Sequence, residues 1–268
     1  MYFTIRKKQV IFLLWSMCIY CLLGFVLITF FGITGTVLFA TLGIALILFL
    51  IFDRFERIQN EQINIYREIQ SLIGLYRFVD PALPLPPMRD YAASPSHLLL
   101  LAEEVYRRKP NLVVECGSGV STLVISYVLN KLGSGRIVSL DHDPKYAEIT
   151  KQALVRHGLD HFVDIRIAPL QDVTLPSGIW KWYSTESVDD LYNIDLLTVD
   201  GPPGPLQKLS RYPAGPFLFP KLTSDAVVIL DDAARRDERI IVNKWKKKYG
   251  PRTVEYTGTE GGTALLRF

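Results

Sequence analysis

Residues 113–122 have the sequence Val-Val-Glu-Cys-Gly-Ser-Gly-Val-Ser-Thr. The apolar run at 112–114 predicts a buried strand, and Val120–Leu132 carries apolar residues at helical spacing. Gly117 and Gly119 stand between them and predict a tight turn. Glycine lacks a Cβ, so backbone can approach a ligand there, and the helix N-terminus adds free N–H donors. The stretch therefore predicts a strand, a turn and a helix suited to a nucleotide or nucleoside, with a simple tight turn as the alternative.

A second strand is predicted at residues 136–140, and Asp141 follows it directly. A carboxylate at the end of the second strand can accept hydrogen bonds from both hydroxyls of a ribose. Dinucleotide dehydrogenases share this arrangement, but they require a third glycine beside the pyrophosphate. Thr122 stands in that place. The sequence therefore disfavours an NAD-dependent oxidoreductase and leaves it as an alternative.

The form Glu115-x-Gly117-x-Gly119 resembles the first motif of the class I S-adenosylmethionine-dependent methyltransferases. The resemblance covers residues 85–268 and is closest to small bacterial members with Val-Asp-Gly-Pro-Pro-Gly after strand four, here residues 199–204. It implies S-adenosylmethionine as the cofactor and a Rossmann-like, seven-stranded α/β sheet. It also implies a set of cofactor-binding residues: Glu115, Gly117, Ser118, Gly119, Asp141, His142, Ala168 and Leu170.

The remaining elements follow from hydrophobic periodicity and turn residues. Further strands are predicted at 162–167, 195–199 and 226–230, and two closing strands at 252–256 and 263–268 are joined by a glycine-bearing turn. A closing antiparallel hairpin is typical of the methyltransferase sheet that the resemblance implies. The predicted domains are a membrane hairpin (1–52), an amphipathic helix (53–79), a proline-rich linker (80–93) and a methyltransferase domain (94–268).

Charge and cysteine content exclude several classes of function. The chain has 268 residues and a net charge of +3, so nothing in its charge favours a nucleic-acid partner. Cys18 and Cys21 lie in an apolar span, whereas a redox or zinc Cys-x-x-Cys motif needs a polar, accessible setting. With Cys116 in the glycine turn, the cysteines imply no disulfide framework, which fits a reducing compartment.

Two uncharged apolar runs occupy residues 9–31 and 33–52, joined at 32–35. Each is long enough to cross a bilayer, which takes about 20 helical residues. A second span follows the first at once, which argues against a cleaved signal peptide. Basic residues flank both outer ends, so the sequence predicts a two-span protein of the cell membrane with both ends cytoplasmic. These basic residues are Arg6, Lys7, Lys8, Arg54 and Arg57.

Residues 53–79 show apolar positions at alternating spacings of three and four, which is typical of an a/d seam. Two alternatives follow: a coiled coil that makes a homodimer, or a helix packed on its own catalytic domain. The seam positions are Phe55, Ile58, Gln62, Ile65, Ile69, Leu72 and Tyr76.

Two further segments have open roles. Arg89 and Tyr91 precede a helix with Ser94 as its predicted N-cap, and in the resembling family this segment commonly folds near the cofactor; domain packing is the alternative. Residues 176–193 contain Trp180, Trp182 and Tyr183. They predict either a lid over the substrate or packing around an insertion.

Carboxylates converge where strands four and five end. Asp200 follows strand four, and Asp231 and Asp232 follow strand five, at the sheet edge where ligands bind. Catechol O-methyltransferase-like enzymes hold magnesium with an Asp after strand four and an Asp-Asn pair after strand five, so the resemblance implies Mg²⁺ on these residues, although Asp232 replaces the Asn. Without a metal, Asp200 or His142 is the predicted base, with Asp231 beside it. Asp232 could instead cap the following helix.

The sequence therefore predicts a membrane-anchored methyltransferase that acts on an oxygen of a small or membrane-associated acceptor. A scaffold that has kept the methyltransferase-like domain and lost catalysis is the rival from another class. Labelled S-adenosylmethionine separates an apo scaffold from a binder, and turnover separates a binder from an enzyme.

Overall fold

A computed structural model of the chain describes residues 7–89, 92–176 and 178–268. Arg6 and Tyr91 of the predictions above lie outside the described residues, as do the side chains of Lys7 and Lys8. The chain divides into two compact units, Met1–Ile63 and Asn64–Phe268.

In its described residues, the first unit is helical, apolar as far as residue 52, and interrupted at Gly32. Helix α1 is assigned to Lys7–Val79, with a non-helical backbone at Gly32 (φ 61°, ψ −155°). The Tyr20 and Phe39 rings stack with centroids 4.5 Å apart, so the segments on either side of Gly32 pack against each other. The break falls within the predicted connection at 32–35, but only Gly32 leaves the helical conformation.

One described helix, Gly32–Val79, is long and apolar enough to cross a membrane, judged by length and composition only. Leu14–Phe30, the part of the first predicted span whose side chains the structure describes, is also apolar. The second predicted span lies at the beginning of Gly32–Val79.

The second unit is built on a seven-stranded sheet in the order β3-β2-β1-β6-β7-β9-β8. The first five strands in this order are parallel, and β9 and β8 close the sheet as an antiparallel hairpin. This confirms the predicted Rossmann-like fold. The strands are β1 Leu112–Cys116, β2 Arg136–Asp141, β3 Val163–Ile167, β4 Leu170–Leu175, β5 Gly178–Tyr183, β6 Ile194–Val199, β7 Leu222–Leu230, β8 Thr253–Thr257 and β9 Thr263–Arg267.

Helices cover both faces of this sheet, which explains why its central strands are apolar on both sides. On β1, Val113 packs in one hydrophobic layer, whereas Val114 and Cys116 pack in the layer on the opposite face. Trp245 anchors that second layer from the last helix. The helices after α1 are α2 Pro95–Arg108, α3 Val120–Leu132, α4 Pro144–His157, α5 Ala214–Leu218 and α6 Arg236–Tyr249.

The segment after β3 differs from the prediction. Strands β4 and β5 form a separate two-stranded antiparallel sheet, where only a loop and an aromatic segment were expected. Trp182 and Tyr183 are buried in the core, so the lid interpretation is wrong for these two residues and the packing interpretation holds. The signal was weak because only one residue of β4 is buried and its three exposed residues do not alternate with buried ones.

The end of α1 packs on its own domain mainly through residues outside the predicted seam, although Tyr76 of the seam accepts a hydrogen bond from Leu85 N at 3.1 Å. Leu75 and Val79 are buried among residues of α2 and α3, and Glu68 accepts a hydrogen bond from Ser96 N at 3.0 Å. The seam residues Ile65 and Ile69 remain exposed. The helix therefore has two apolar faces, of which the domain covers one.

Candidate active site

The glycine turn lies between β1 and α3, at the carboxyl edge of the sheet. Gly117 has φ +104°, a conformation that side chains rarely adopt, and a Cβ built there would lie 3.4 Å from Gly201 N. Gly117 N donates to Leu140 O at 2.9 Å, which ties the turn to β2. Gly117, Ser118 and Gly119 are partly exposed, as a turn that meets a ligand requires.

Glu115 supports this turn from beneath. Its Oε2 accepts hydrogen bonds from Thr122 Oγ1 at 2.5 Å and from Ser139 Oγ at 2.8 Å. Thr122 Oγ1 also accepts from Gly119 N at 3.0 Å, so the residue that replaces the third glycine fixes the turn. Burial raises the pKa of Glu115 to about 7. The Glu115 residue is only 1% exposed and supports the turn through these bonds, and its predicted contact with the cofactor stays a prediction.

Asp141 lies beside the turn at the end of β2. Its carboxylate accepts a hydrogen bond from the Ser118 hydroxyl and another from Asp143 N at 2.9 Å. Ser118 also donates to Thr150 Oγ1 at 3.2 Å. An ionised carboxylate has about four acceptor positions, so Asp141 keeps capacity for a ligand hydroxyl.

The other predicted cofactor residues are distributed around Asp141. His142 is partly exposed, and its Nδ1 lies 3.8 Å from Asp141 Oδ1. Ala168 is fully buried and donates its N–H to Asp141 O at 2.7 Å, so it positions the strand end and offers no open surface. Leu170 is partly exposed at the start of β4. His142 and Ala168 therefore lie beside Asp141, and the contacts of His142, Ala168 and Leu170 with the cofactor stay predictions.

The predicted acidic residues lie at the ends of adjacent strands. Strands β6 and β7 are parallel with Val199 opposite Leu230, so Asp200 and Asp231 follow paired positions. Both line a cleft of about 480 Å³ together with Asp232, Arg211 and Arg89. His142 is not among the residues that line this cleft, so the structure does not place it with the acidic cluster.

Arg211 occupies the centre of the acidic cluster. Its Nη2 donates to Asp200 Oδ1 at 3.0 Å and to Asp232 Oδ2 at 2.8 Å. Its Nη1 donates to Asp231 O at 2.9 Å. The side chain is 3% exposed, so these contacts are shielded from solvent. Arg211 could not be predicted from the sequence, because its partners follow β6 and β7 and nothing in residues 211–214 marks the contact.

His97 approaches the cluster from α2. Its Nδ1 lies 3.1 Å from Asp231 Oδ1 and 2.9 Å from Thr263 Oγ1. Burial by itself lowers the pKa of His97, but the surrounding carboxylates, Asp231 foremost, raise it above its usual value. Burial opposes ionisation of Asp231, yet His97 brings the pKa of that carboxyl below its usual range. No sequence pattern predicted a role for His97, which lies on the buried face of its helix.

Asp200 differs from Asp231 in its ionisation. Burial raises the pKa of Asp200 to about 6, with Arg211 opposing the shift. The side chain remains 32% exposed towards the cleft. A carboxyl with this pKa is mostly ionised at neutral pH and is still basic enough to accept a proton.

The predicted magnesium site does not fit these residues. The facing oxygens of Asp200 and Asp232 are both bonded to Arg211, and Asp231 Oδ1 accepts from Asp232 N at 2.8 Å. Within the described ranges, no group of three or more His, Cys, Asp or Glu residues could hold a metal ion. The helix-capping alternative for Asp232 is also wrong, because Arg235 is the N-cap of α6 and Asp232 forms an ion pair with it at 2.7 Å.

Arg89 lies at the mouth of the cleft. Its Nε donates to Glu260 Oε1 at 2.9 Å, which joins the segment before α2 to the turn of the terminal hairpin. Arg89 therefore lies near the acidic cluster as a lining residue.

Comparison with known proteins agrees with this geometry. Residues 114–233 match a family model described as a methyltransferase domain. The matched segment contains the glycine turn, Asp141, Asp200, Arg211 and Asp231. The chain contains a methyltransferase domain. Outside that match, the first two residues of β1 and the terminal hairpin complete the sheet of the domain.

Solved structures share the fold of this methyltransferase domain at low identity. An SAH-bound methyltransferase from Podospora anserina is 16% identical, with a TM-score of 0.54 over 78% of this chain and 95% of its own. An O-methyltransferase from Bacillus cereus in complex with SAH is 19% identical, with a TM-score of 0.50 over 77% of this chain and 96% of its own. A search of curated proteins found no match.

Proposed function

We propose that the chain is an S-adenosylmethionine-dependent O-methyltransferase whose acceptor is a small or membrane-associated molecule. The observation that carries this proposal is the position of Asp141 beside the Gly117–Gly119 turn, within the segment that matches the methyltransferase model. The two structural neighbours with bound SAH support the same cofactor.

The residues present fit this cofactor. Gly119 leaves room beside the turn, since nothing lies within 4 Å of a Cβ built there, and Asp141 has acceptor positions for the ribose hydroxyls. When bound, S-adenosylmethionine supplies an electrophilic methyl group that needs only an aligned nucleophile. Thr122 stands where a dehydrogenase has its third glycine, and its Oγ1 is bonded to Gly119 N. This disfavours the NAD-dependent alternative.

Asp200 is the proposed base for the acceptor hydroxyl. It lines the cleft, follows a strand adjacent to β1, and its pKa of about 6 suits proton acceptance near neutral pH. Asp231 would position the acceptor with His97 behind it. His142, beside Asp141, serves the cofactor in this proposal.

The scaffold alternative makes a different prediction. Equilibrium dialysis with labelled S-adenosylmethionine detects the binding expected of both an enzyme and a catalytically inactive binder. Transfer of the label to extracted acceptors then separates these two, and transfer is expected here because Asp200 retains an ionisable, partly exposed carboxyl.

The apolar first unit supports a membrane anchor with two spans and a cytoplasmic catalytic domain. The contact of Tyr20 with Phe39 would suit a hairpin in the bilayer, and Arg54 and Arg57 follow its second apolar segment. Because positive flanks stay cytoplasmic, protease added to intact cells should spare the catalytic domain and protease added to inverted vesicles should cut it. Cutting in intact cells, with a known cytoplasmic protein spared as the control, would reverse the orientation.

The exposed seam of α1 supports a homodimer as a further proposal. Phe55, Ile58, Ile65 and Ile69 are exposed at a/d spacing, and Gln62 gives the seam one polar member of the kind that fixes register.

Charge placed in this seam should separate the protomers. Ile65→Glu should shift the full chain in detergent from dimer to monomer in analytical ultracentrifugation, because it buries a charge in the interface. Ile63→Glu is the matched control, since Ile63 is also exposed but lies off the seam. A monomeric wild type, or equal effects of both variants, would remove the dimer.

A further inference from the structure

The acidic cluster contains more negative charge than one site tolerates without a cation. Asp200, Asp231 and Asp232 lie together at the ends of β6 and β7, and Glu238 lies 4.0 Å from Arg211. Carboxylates at one site repel unless a cation or a proton compensates them. The compensating charge is on the chain itself.

We infer that the guanidinium of Arg211 takes the place that a divalent cation holds in metal-dependent relatives, so that this active site excludes such a cation. The inference rests on the proposed function, because it assigns the cluster to the acceptor site of a methyltransferase. The observation that supports this inference is geometric. One nitrogen, Arg211 Nη2, lies within 3.0 Å of oxygens from both Asp200 and Asp232.

The fold holds the Arg211 side chain in this position. Nη1 is bonded to the main-chain oxygen of Asp231, and the side chain is 3% exposed. Arg235 also pairs with Asp232 from the cleft side, at 2.7 Å. A planar guanidinium offers several fixed donors and stays charged, so it can hold carboxylates in one arrangement permanently. A divalent cation would have to displace these bonds to reach the same oxygens.

The consequence for the reaction is a fixed division of roles. Arg211 is a positioning residue that orients the Asp200 carboxylate through one oxygen, Oδ1, and leaves the other for the acceptor hydroxyl. As the new oxygen–methyl bond forms, the sulfur–methyl bond of S-adenosylmethionine would break, S-adenosylhomocysteine would leave, and the hydroxyl proton would pass to Asp200. The acceptor is thus oriented by arginine and carboxylate groups, with no metal–oxygen bond.

The test uses Mn²⁺ alone as the probe, followed by calorimetry and electron paramagnetic resonance on the full chain in detergent. The wild type and Asp200→Asn should bind Mn²⁺ equally, because the acidic cluster of the wild type should hold no Mn²⁺. Arg211→Met should gain Mn²⁺ binding, because it leaves the carboxylates uncompensated around an emptied volume. The double variant Arg211→Met/Asp200→Asn should lose that gain again.

Two results would overturn the inference. One is wild-type Mn²⁺ binding that disappears in Asp200→Asn, a measurement that needs no Arg211 variant to fold. The other is an Arg211→Met protein that unfolds cooperatively and binds S-adenosylmethionine like the wild type, yet binds no more Mn²⁺. Failure of the wild type to bind S-adenosylmethionine would overturn the proposed function instead, so the two failures are distinguishable.

Discussion

Replacing Asp200 with asparagine should lower kcat by about 10²–10⁴-fold, the contribution typical of a general base. Asparagine keeps the shape of the side chain and an oxygen that can accept from Arg211, so the cluster is expected to remain assembled. Affinity for S-adenosylmethionine should stay almost unchanged, because Asp200 is not required by the ribose or the glycine turn. Transfer of labelled methyl to acceptors extracted from the source membranes measures the first quantity, and equilibrium dialysis the second.

The pH dependence of the rate tests the role of Asp200 a second time. The wild-type rate should fall about tenfold per pH unit below about 6, because the pKa of Asp200 is raised to about 6 and protonation removes the base. Asp200→Asn should abolish this acidic limb. Asp189→Asn is the control, since Asp189 is an exposed aspartate. Full transfer by Asp200→Asn would refute the catalytic role.

Replacing Asp141 with alanine should weaken the binding of S-adenosylmethionine by roughly tenfold to a hundredfold. A hydrogen bond to a charged group contributes roughly 1.5–3 kcal/mol, and each 1.4 kcal/mol is about a factor of ten. The substitution also frees the Ser118 hydroxyl, which Asp141 now holds beside the turn. A radioligand titration of the full chain measures the loss.

Asp164→Ala is the matched control for this experiment. Asp164 lies on the neighbouring strand β3, its side chain is 55% exposed, and it pairs with Arg166 on the surface. It should leave cofactor affinity unchanged. Equal affinities for the wild type and Asp141→Ala would remove Asp141 from the cofactor site.

The sheet was predictable because its signals are local. Apolar runs such as 112–114, the glycine turn and the aspartates after each strand place β1, β2, β6 and β7 in sequence alone, and the parallel pairing follows from the alternation with helices. The hairpin β4–β5 escaped prediction because exposed and buried residues do not alternate along either of its strands, so the sequence carries no period of two there.

The position of the acidic cluster was predictable from the sequence, but the partners that set its ionisation and its ligand preference were not. The strand ends placed Asp200 and Asp231 side by side, but the partners that decide their behaviour come from elsewhere in the chain. Arg211 reaches Asp232 across 21 residues of sequence, and His97 reaches Thr263 across 166. Such contacts form only when the fold is complete, so a sequence pattern borrowed from metal-dependent enzymes suggested magnesium where the structure has an arginine.

The same limit applies to α1. Its seam residues follow the a/d pattern, and the pattern alone could not tell which side of the helix meets the domain. Leu75 and Val79 fall on the covered face, whereas Ile65 and Ile69 do not. Periodicity therefore identified the helix and left its partner to be decided by packing.

The identity of the cofactor is the central claim, and calorimetric titration of the full chain with S-adenosylmethionine and, separately, with NAD⁺ tests it most directly. We predict saturable binding of S-adenosylmethionine at one site per chain and no heat from NAD⁺, because Thr122 and Glu115 brace a turn without the third glycine. Binding of NAD⁺ with no binding of S-adenosylmethionine would contradict the account.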